Sequence, residues 1–268
     1  MIFSKGQINA AAAAAAFTLT LFAQAAAAEN GWKVVKADHF IVYHQGDESF
    51  AREVARESDL SYTRIADDLG YRRHGNFWMW DNRVRIYIYP TEEEFQKLPG
   101  TREWALAMTD YAKKEIYAYR DQPDFIVGVL PHEITHLIFR DFVGTSDQIP
   151  TWMDEGVAQW EEPRRREFAK KYVRNLLKNE KAYTVDELFT VDVRRLVDKK
   201  KVEAFYMQSV SVVDFLITAY GGGAFTEFCR QLRDGRDVPE ALRKAYPGLR
   251  TMEELDARWR LLYGGPAS

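Results

Sequence analysis

The segment His132-Glu-Ile-Thr-His136 restricts the fold more than any other part of this 268-residue chain. Two histidines four positions apart share one face of a helix. The segment lies in an apolar stretch, with Phe125-Ile-Val-Gly-Val-Leu before it and Leu137-Ile-Phe after it, so that helix has to be a core helix. Unpaired imidazoles are costly on an apolar face. Both can instead reach one Zn²⁺ at about 2.0–2.1 Å. Glu133 leaves the helix at a neighbouring angle, where it meets a metal-bound water rather than the metal. Asp121, Pro123 and Asp124 mark a helix start and Gly144 a stop. Pro131, directly before His132, predicts a kink just ahead of the first ligand.

A catalytic zinc site takes three protein ligands and keeps one position open for water. The third candidate is Glu155, in Pro150-Thr-Trp-Met-Asp-Glu-Gly-Val-Ala-Gln-Trp160. This segment reads as a second helix starting after Pro150. Asp154 and Glu155 stand there among Trp152, Val157, Ala158 and Trp160, a setting that surface acids do not explain. Gly156 would let this helix approach the histidine helix closely. Gln159, one turn beyond Glu155, is a candidate partner for a ligand imidazole.

The remaining sequence narrows the class. Hydrophobic residues make up 46% of the chain, enough for a core that needs no disulfide staples. Cys229 is the single cysteine, at helical apolar spacing, and reads as a buried structural thiol. Net charge is −3 with no long basic run, which argues against nucleic acid. Arg164–Arg166 lie beside Glu161, Glu162 and Glu167 and read as a solvated helix face. Residues 1–28 follow signal-peptide grammar. Lys5 comes first, then an uncharged stretch with an apolar part from Ala10 to Ala23, then small residues up to Ala28. Cleavage after Ala28 predicts a periplasmic or secreted protein. No later stretch reads as a membrane span, so none is expected once the leader is removed.

Residues 29–120 read as mixed α/β. Phe40–Tyr43 and Arg83–Tyr89 are strands, and Ser49–Leu69 is a helix ended by Gly70. Thr91 with Glu94 forms a capping box that opens a short helix to about Leu98. Ala105–Thr109 and Glu115–Tyr119 are two short strands around a turn. Residues 121–268 read as almost entirely helical. With no internal repeat and no linker, residues 29–268 form one catalytic unit.

The HExxH pattern, eighteen intervening residues and a Glu-Gly pair together resemble the gluzincin zinc metallopeptidases. The nearest likeness is to the peptidase MA-like family of bacterial envelope proteins, whose W-x-x-E-G segment resembles Trp152-Met-Asp-Glu-Gly156. It continues through Phe205-Tyr-Met-Gln-Ser209, Val213-Asp-Phe-Leu216 and Ala219-Tyr-Gly221, and covers roughly residues 83 to 263. The resemblance implies an α+β, thermolysin-like catalytic domain with an N-terminal mixed α/β lobe and a C-terminal helical lobe. It implies one Zn²⁺ per chain on His132, His136 and Glu155, and Glu133 as general base. Related gluzincins place a tyrosine or histidine of the helical lobe at the oxyanion, and Tyr206 has the matching context. The GxMEN segment of the aminopeptidase branch has no counterpart, since Trp78-Met-Trp-Asp-Asn82 does not match it.

The expected chemistry is metal-assisted hydrolysis of a peptide or protein substrate. Asp110 to Tyr117 is expected to supply an edge strand on which an extended substrate lies. His39, His44 and His74 have no metal spacing and read as surface or structural. Two other classes remain open at this stage: a zinc hydrolase of non-peptide bonds, and a zinc-bearing scaffold without turnover. Glu133 argues against the scaffold, because structural zinc needs a closed fourth ligand and no base.

Overall fold

The computed structural model describes residues 31–70, 78–101, 105–122, 124–144 and 149–265. The expected leader, residues 1–28, lies outside them, as do His74 and Pro123. All five described strands precede residue 120, and the rest of the described chain is helical, a mixed α+β architecture. The strands are β1 (Lys33–Lys36), β2 (Phe40–His44), β3 (Val84–Tyr89), β4 (Ala107–Asp110) and β5 (Glu115–Tyr119). They form one sheet in the order β1-β2-β3-β5-β4. The central three run parallel, while β1 and β4 are antiparallel edges.

Each central strand sends alternate residues to one face. Phe40, Val42, Val84, Ile86, Ile88, Ile116 and Ala118 are buried there. On the other face Tyr43, Tyr87 and Tyr117 are in register. Their rings stack nearly parallel, with centroids 4.7 and 5.1 Å apart. This aromatic row explains why the alternation in β2 is weak in the sequence: both faces carry large apolar surfaces.

Helix α1 (Glu48–Asp68) covers the buried face with Ala51, Val54, Ala55, Ser58, Ile65 and Ala66, at helical spacing. Asp47 caps it by accepting from the amides of Ser49 and Phe50. Leu69 ends it, and Gly70 follows at φ +65, where a side chain would be strained. Thr91 caps the short α2 (Glu92–Gln96) through the amide of Glu94.

The histidine helix starts unusually. Asp124 is left-handed, and Phe125–Val129 form a π-turn in which the Leu130 amide reaches back to the Phe125 carbonyl. Helix α3 (Leu130–Val143) then runs as a regular α-helix to Gly144. Pro131 therefore sits in the first α-helical turn, where its missing N–H costs little. The expected kink is replaced by a change of helix type one turn before the histidines.

Helices α4 (Thr151–Trp160), α5 (Pro163–Lys178), α6 (Val185–Thr190), α7 (Lys199–Tyr220), α8 (Gly222–Arg233), α9 (Val238–Ala245) and α10 (Met252–Gly264) complete the chain. α7 packs against both α4 and α5, and its residues from Met207 to Ile217 are buried. By length and composition α7 is apolar enough to cross a bilayer, contrary to the expectation that nothing after the leader is. It is apolar on all sides because it is the central core helix. Gly156 also differs from expectation. A Cβ there would lie 2.7 Å from the Ser209 carbonyl oxygen, so the glycine serves the approach of α4 to α7, not to α3. Cys229 is fully buried in α8, and burial pushes its thiol pKa up.

Candidate metal centre

Helices α3 and α4 bring His132, His136 and Glu155 together. One donor atom from each lies within 4.8 Å of the others. The two Nε2 atoms are 3.1 Å apart, and Glu155 Oε2 is 3.8 and 3.9 Å from them. Tetrahedral zinc at 2.0–2.1 Å spaces its ligand atoms about 3.3 Å apart, so the donor set and its spacing suit that ion.

The outer nitrogens of both imidazoles face carboxylates. His132 Nδ1 is 2.9 Å from Glu162 Oε1, at the junction of α4 and α5. His136 Nδ1 is 3.2 Å from Asp154 Oδ1. Asp154 also accepts from Arg140 Nη2 at 2.7 Å. The Arg140 guanidinium lies 3.8 Å from the Tyr111 ring centroid, and Tyr111 meets the His136 ring edge-on.

Burial and carboxylates compete here. Burial alone would push the His136 pKa down, but Asp154, then Glu155 and Glu133, lift it to about 9. Burial likewise pushes Asp154 up, yet His136 and Arg140 hold it well below the usual carboxylate range. A cluster this rich in negative charge gains from a cation among the donors.

Glu133 does not point into the cluster with Glu155. Its Oε2 accepts from the Thr109 hydroxyl on edge strand β4. A cleft of about 1310 Å³ joins these groups. Its lining includes His132, Glu133, His136 and Glu155, with Ala105–Ala107 on one side and Val202 and Tyr206 on the other.

His132, Glu133, His136, Glu155 and Tyr206 all line this one cleft. Gln159 lines it too, but its buried Oε1 has no hydrogen-bond partner, and the imidazoles pair with Glu162 and Asp154 instead. The edge strand is Ala107–Asp110 alone. β5 lies inside the sheet, and Tyr111–Lys114 form the turn. His39 pairs with Asp59 and stacks on Tyr62, and His44 is buried in β2. Arg164 and Arg165 are exposed, while Arg166 lies over the Trp160 ring.

Sequence reasoning missed three partners: Thr109, Glu162 and the pairing of Asp154 with His136. Glu162 carried a usable signal, since it is seven residues beyond Glu155 and thus near the same helix face.

No curated protein matches the chain. A family model described as the peptidase MA superfamily matches residues 74–264, which span β3 through α10 and hold every donor of the candidate centre. By that match, over more than half its length, the chain belongs to the peptidase MA superfamily.

Proposed function

We propose that the protein is a zinc-dependent peptidase, exported by its leader to the periplasm or the exterior. The observation that carries the reading is the pairing of a three-donor cluster with a separate carboxylate. His132, His136 and Glu155 converge, while Glu133 opens on the same cleft and is held by Thr109.

His132, His136 and Glu155 would hold the zinc, which when bound would supply a Lewis acid for the scissile carbonyl and make water a better nucleophile near neutral pH. The chain's own groups do the rest. Glu133 has one oxygen engaged by Thr109, which leaves Oε1 to take the proton of the attacking water and pass it to the leaving amine. The Tyr206 phenol, on the α7 wall, donates to the carbonyl oxygen as negative charge develops there. β4 is an edge strand, and it leads out of Ala105 and Leu106 along the cleft. An extended peptide adds to it by backbone hydrogen bonds.

The test is to incubate the zinc-loaded protein with a complex peptide mixture and read new termini by mass spectrometry. The control is Glu133→Gln at equal zinc content. New termini from the parent protein alone support the reading. Termini in neither sample, or in both equally, would sink it.

A further inference from the structure

The two imidazoles of the centre are not held alike. His136 faces Asp154, which Arg140 also holds, and meets the Tyr111 ring edge-on. The outer nitrogen of His132 has one close partner, the Glu162 carboxylate at 2.9 Å. Gln159, one turn beyond Glu155, is the position from which helix geometry would first supply such a partner, yet its Oε1 is buried and unpaired. We propose that Glu162 is the positioning residue for His132, and that the α4–α5 junction is therefore part of the metal site. The proposal rests on the zinc reading above.

The physical argument concerns the tautomer and the ring angle. A neutral imidazole has one N–H and one lone pair. A carboxylate at Nδ1 requires the proton there, so the lone pair is on Nε2, which faces Glu155 and His136 Nε2. The same bond stops rotation of the ring about its Cβ–Cγ axis.

Glu162 is itself well fixed. Its amide donates to the Gln159 carbonyl at 3.1 Å, and its own carbonyl accepts from the Arg165 amide at 2.9 Å. It is the N-cap residue of α5, followed by Pro163 in the first turn, which restricts its backbone. Its second oxygen lies 3.7 Å from Arg165 Nε. The preceding residue, Glu161, is buried and accepts a hydrogen bond from Arg64 of α1. The junction is thus tied to α1 by one carboxylate and to the histidine helix by the next.

The experiment measures zinc affinity of the full chain, stripped with a chelator and titrated against a chromophoric competitor. Glu162→Ala should bind zinc about 10- to 100-fold more weakly than the parent. Glu162→Gln keeps an acceptor oxygen and should recover part of that loss, with a visible Co²⁺ spectrum between those of the parent and Glu162→Ala. Gln159→Ala should stay within about threefold of the parent. Parent-like affinity in Glu162→Ala, or an equal loss in Gln159→Ala, would overturn the proposal while leaving the zinc reading intact. A parent protein that binds no zinc would remove both. If Glu162→Ala does not fold, the isosteric Glu162→Gln decides: parent-like affinity together with a parent-like Co²⁺ spectrum overturns the proposal.

Discussion

The hydroxyl of Thr109, on edge strand β4, donates to the carboxylate of Glu133, on helix α3. The strand proposed to carry the substrate therefore also fixes the group proposed to move its proton. A hydrogen bond to a charged group contributes about 1.5–3 kcal/mol, and each 1.4 kcal/mol in a barrier is a factor of ten. Thr109→Val removes the hydroxyl with little change of shape. It should lower kcat about 10- to 100-fold with a smaller change in KM, and Thr109→Ser should restore most of the rate. Steady-state kinetics on a peptide cut by the parent measures this, and an unchanged kcat in the valine variant would show that Glu133 needs no such support.

Glu133 and Glu155 should separate cleanly in their effects. Glu155 is one of the three candidate donors, so on the zinc reading Glu155→Ala should cut zinc affinity by about two orders of magnitude or more. Glu133 lies outside the donor set, so Glu133→Gln should retain zinc and lose turnover by about 10²–10⁴-fold. Metal analysis after dialysis, alongside peptide cleavage, distinguishes them. Full zinc occupancy in Glu155→Ala would place the third ligand elsewhere.

The raised pKa of buried Glu161 sets the expected sign of a pH dependence in stability. Burial pushes its carboxyl up to about 7, with Arg64 opposing and Asp68 adding to the rise, against 4.5 for an ordinary glutamate. Between those values the folded chain holds a proton that the unfolded chain has released. Stability contributed by this group is therefore complete below pH 4.5 and is lost as pH rises through about 7. Glu161→Gln cannot ionise, so its urea midpoint should fall less than the parent's between pH 5 and 8. Parallel profiles would mean that the Arg64 pair keeps Glu161 ionised throughout.

The parts of this fold that were legible in the sequence are those with a short-range cause. The strand at Val84–Tyr89, the helix ending at Gly70 and the cap at Thr91 each follow from local periodicity or a local hydrogen bond. The convergence of His132, His136 and Glu155, with Glu133 on the same cleft, was legible because one helix face and one fixed spacing define it. What was not legible depends on contacts distant in sequence. Thr109 meets Glu133 only because β4 is placed at the sheet edge beside α3. Glu162 looked like part of a solvated charged face, and only the turn between α4 and α5 aims it at His132. The π-turn before Leu130 has no simple sequence signal beyond the proline it accommodates.

Gly156, next to the candidate ligand Glu155, sets two effects against each other. Replacing a helix-interior glycine with alanine favours the helix by about 1 kcal/mol. The added Cβ, however, would lie 2.7 Å from the Ser209 carbonyl oxygen and 2.9 Å from Val213 Cγ2. The carbonyl belongs to the backbone of α7, the central core helix, and cannot rotate away as a side chain end could. Overpacking of this kind costs about 1–3 kcal/mol and sometimes more. The clash should win, giving a net loss of up to about 2 kcal/mol for Gly156→Ala. The displacement of α4 also moves Glu155 relative to the histidines, so zinc affinity should fall with stability. Urea unfolding of the metal-free protein isolates the packing effect, and zinc titration then reads the second. A midpoint equal to or above the parent's, at the same slope, would mean that α4 and α7 separate at little cost and that the glycine is not required for their approach.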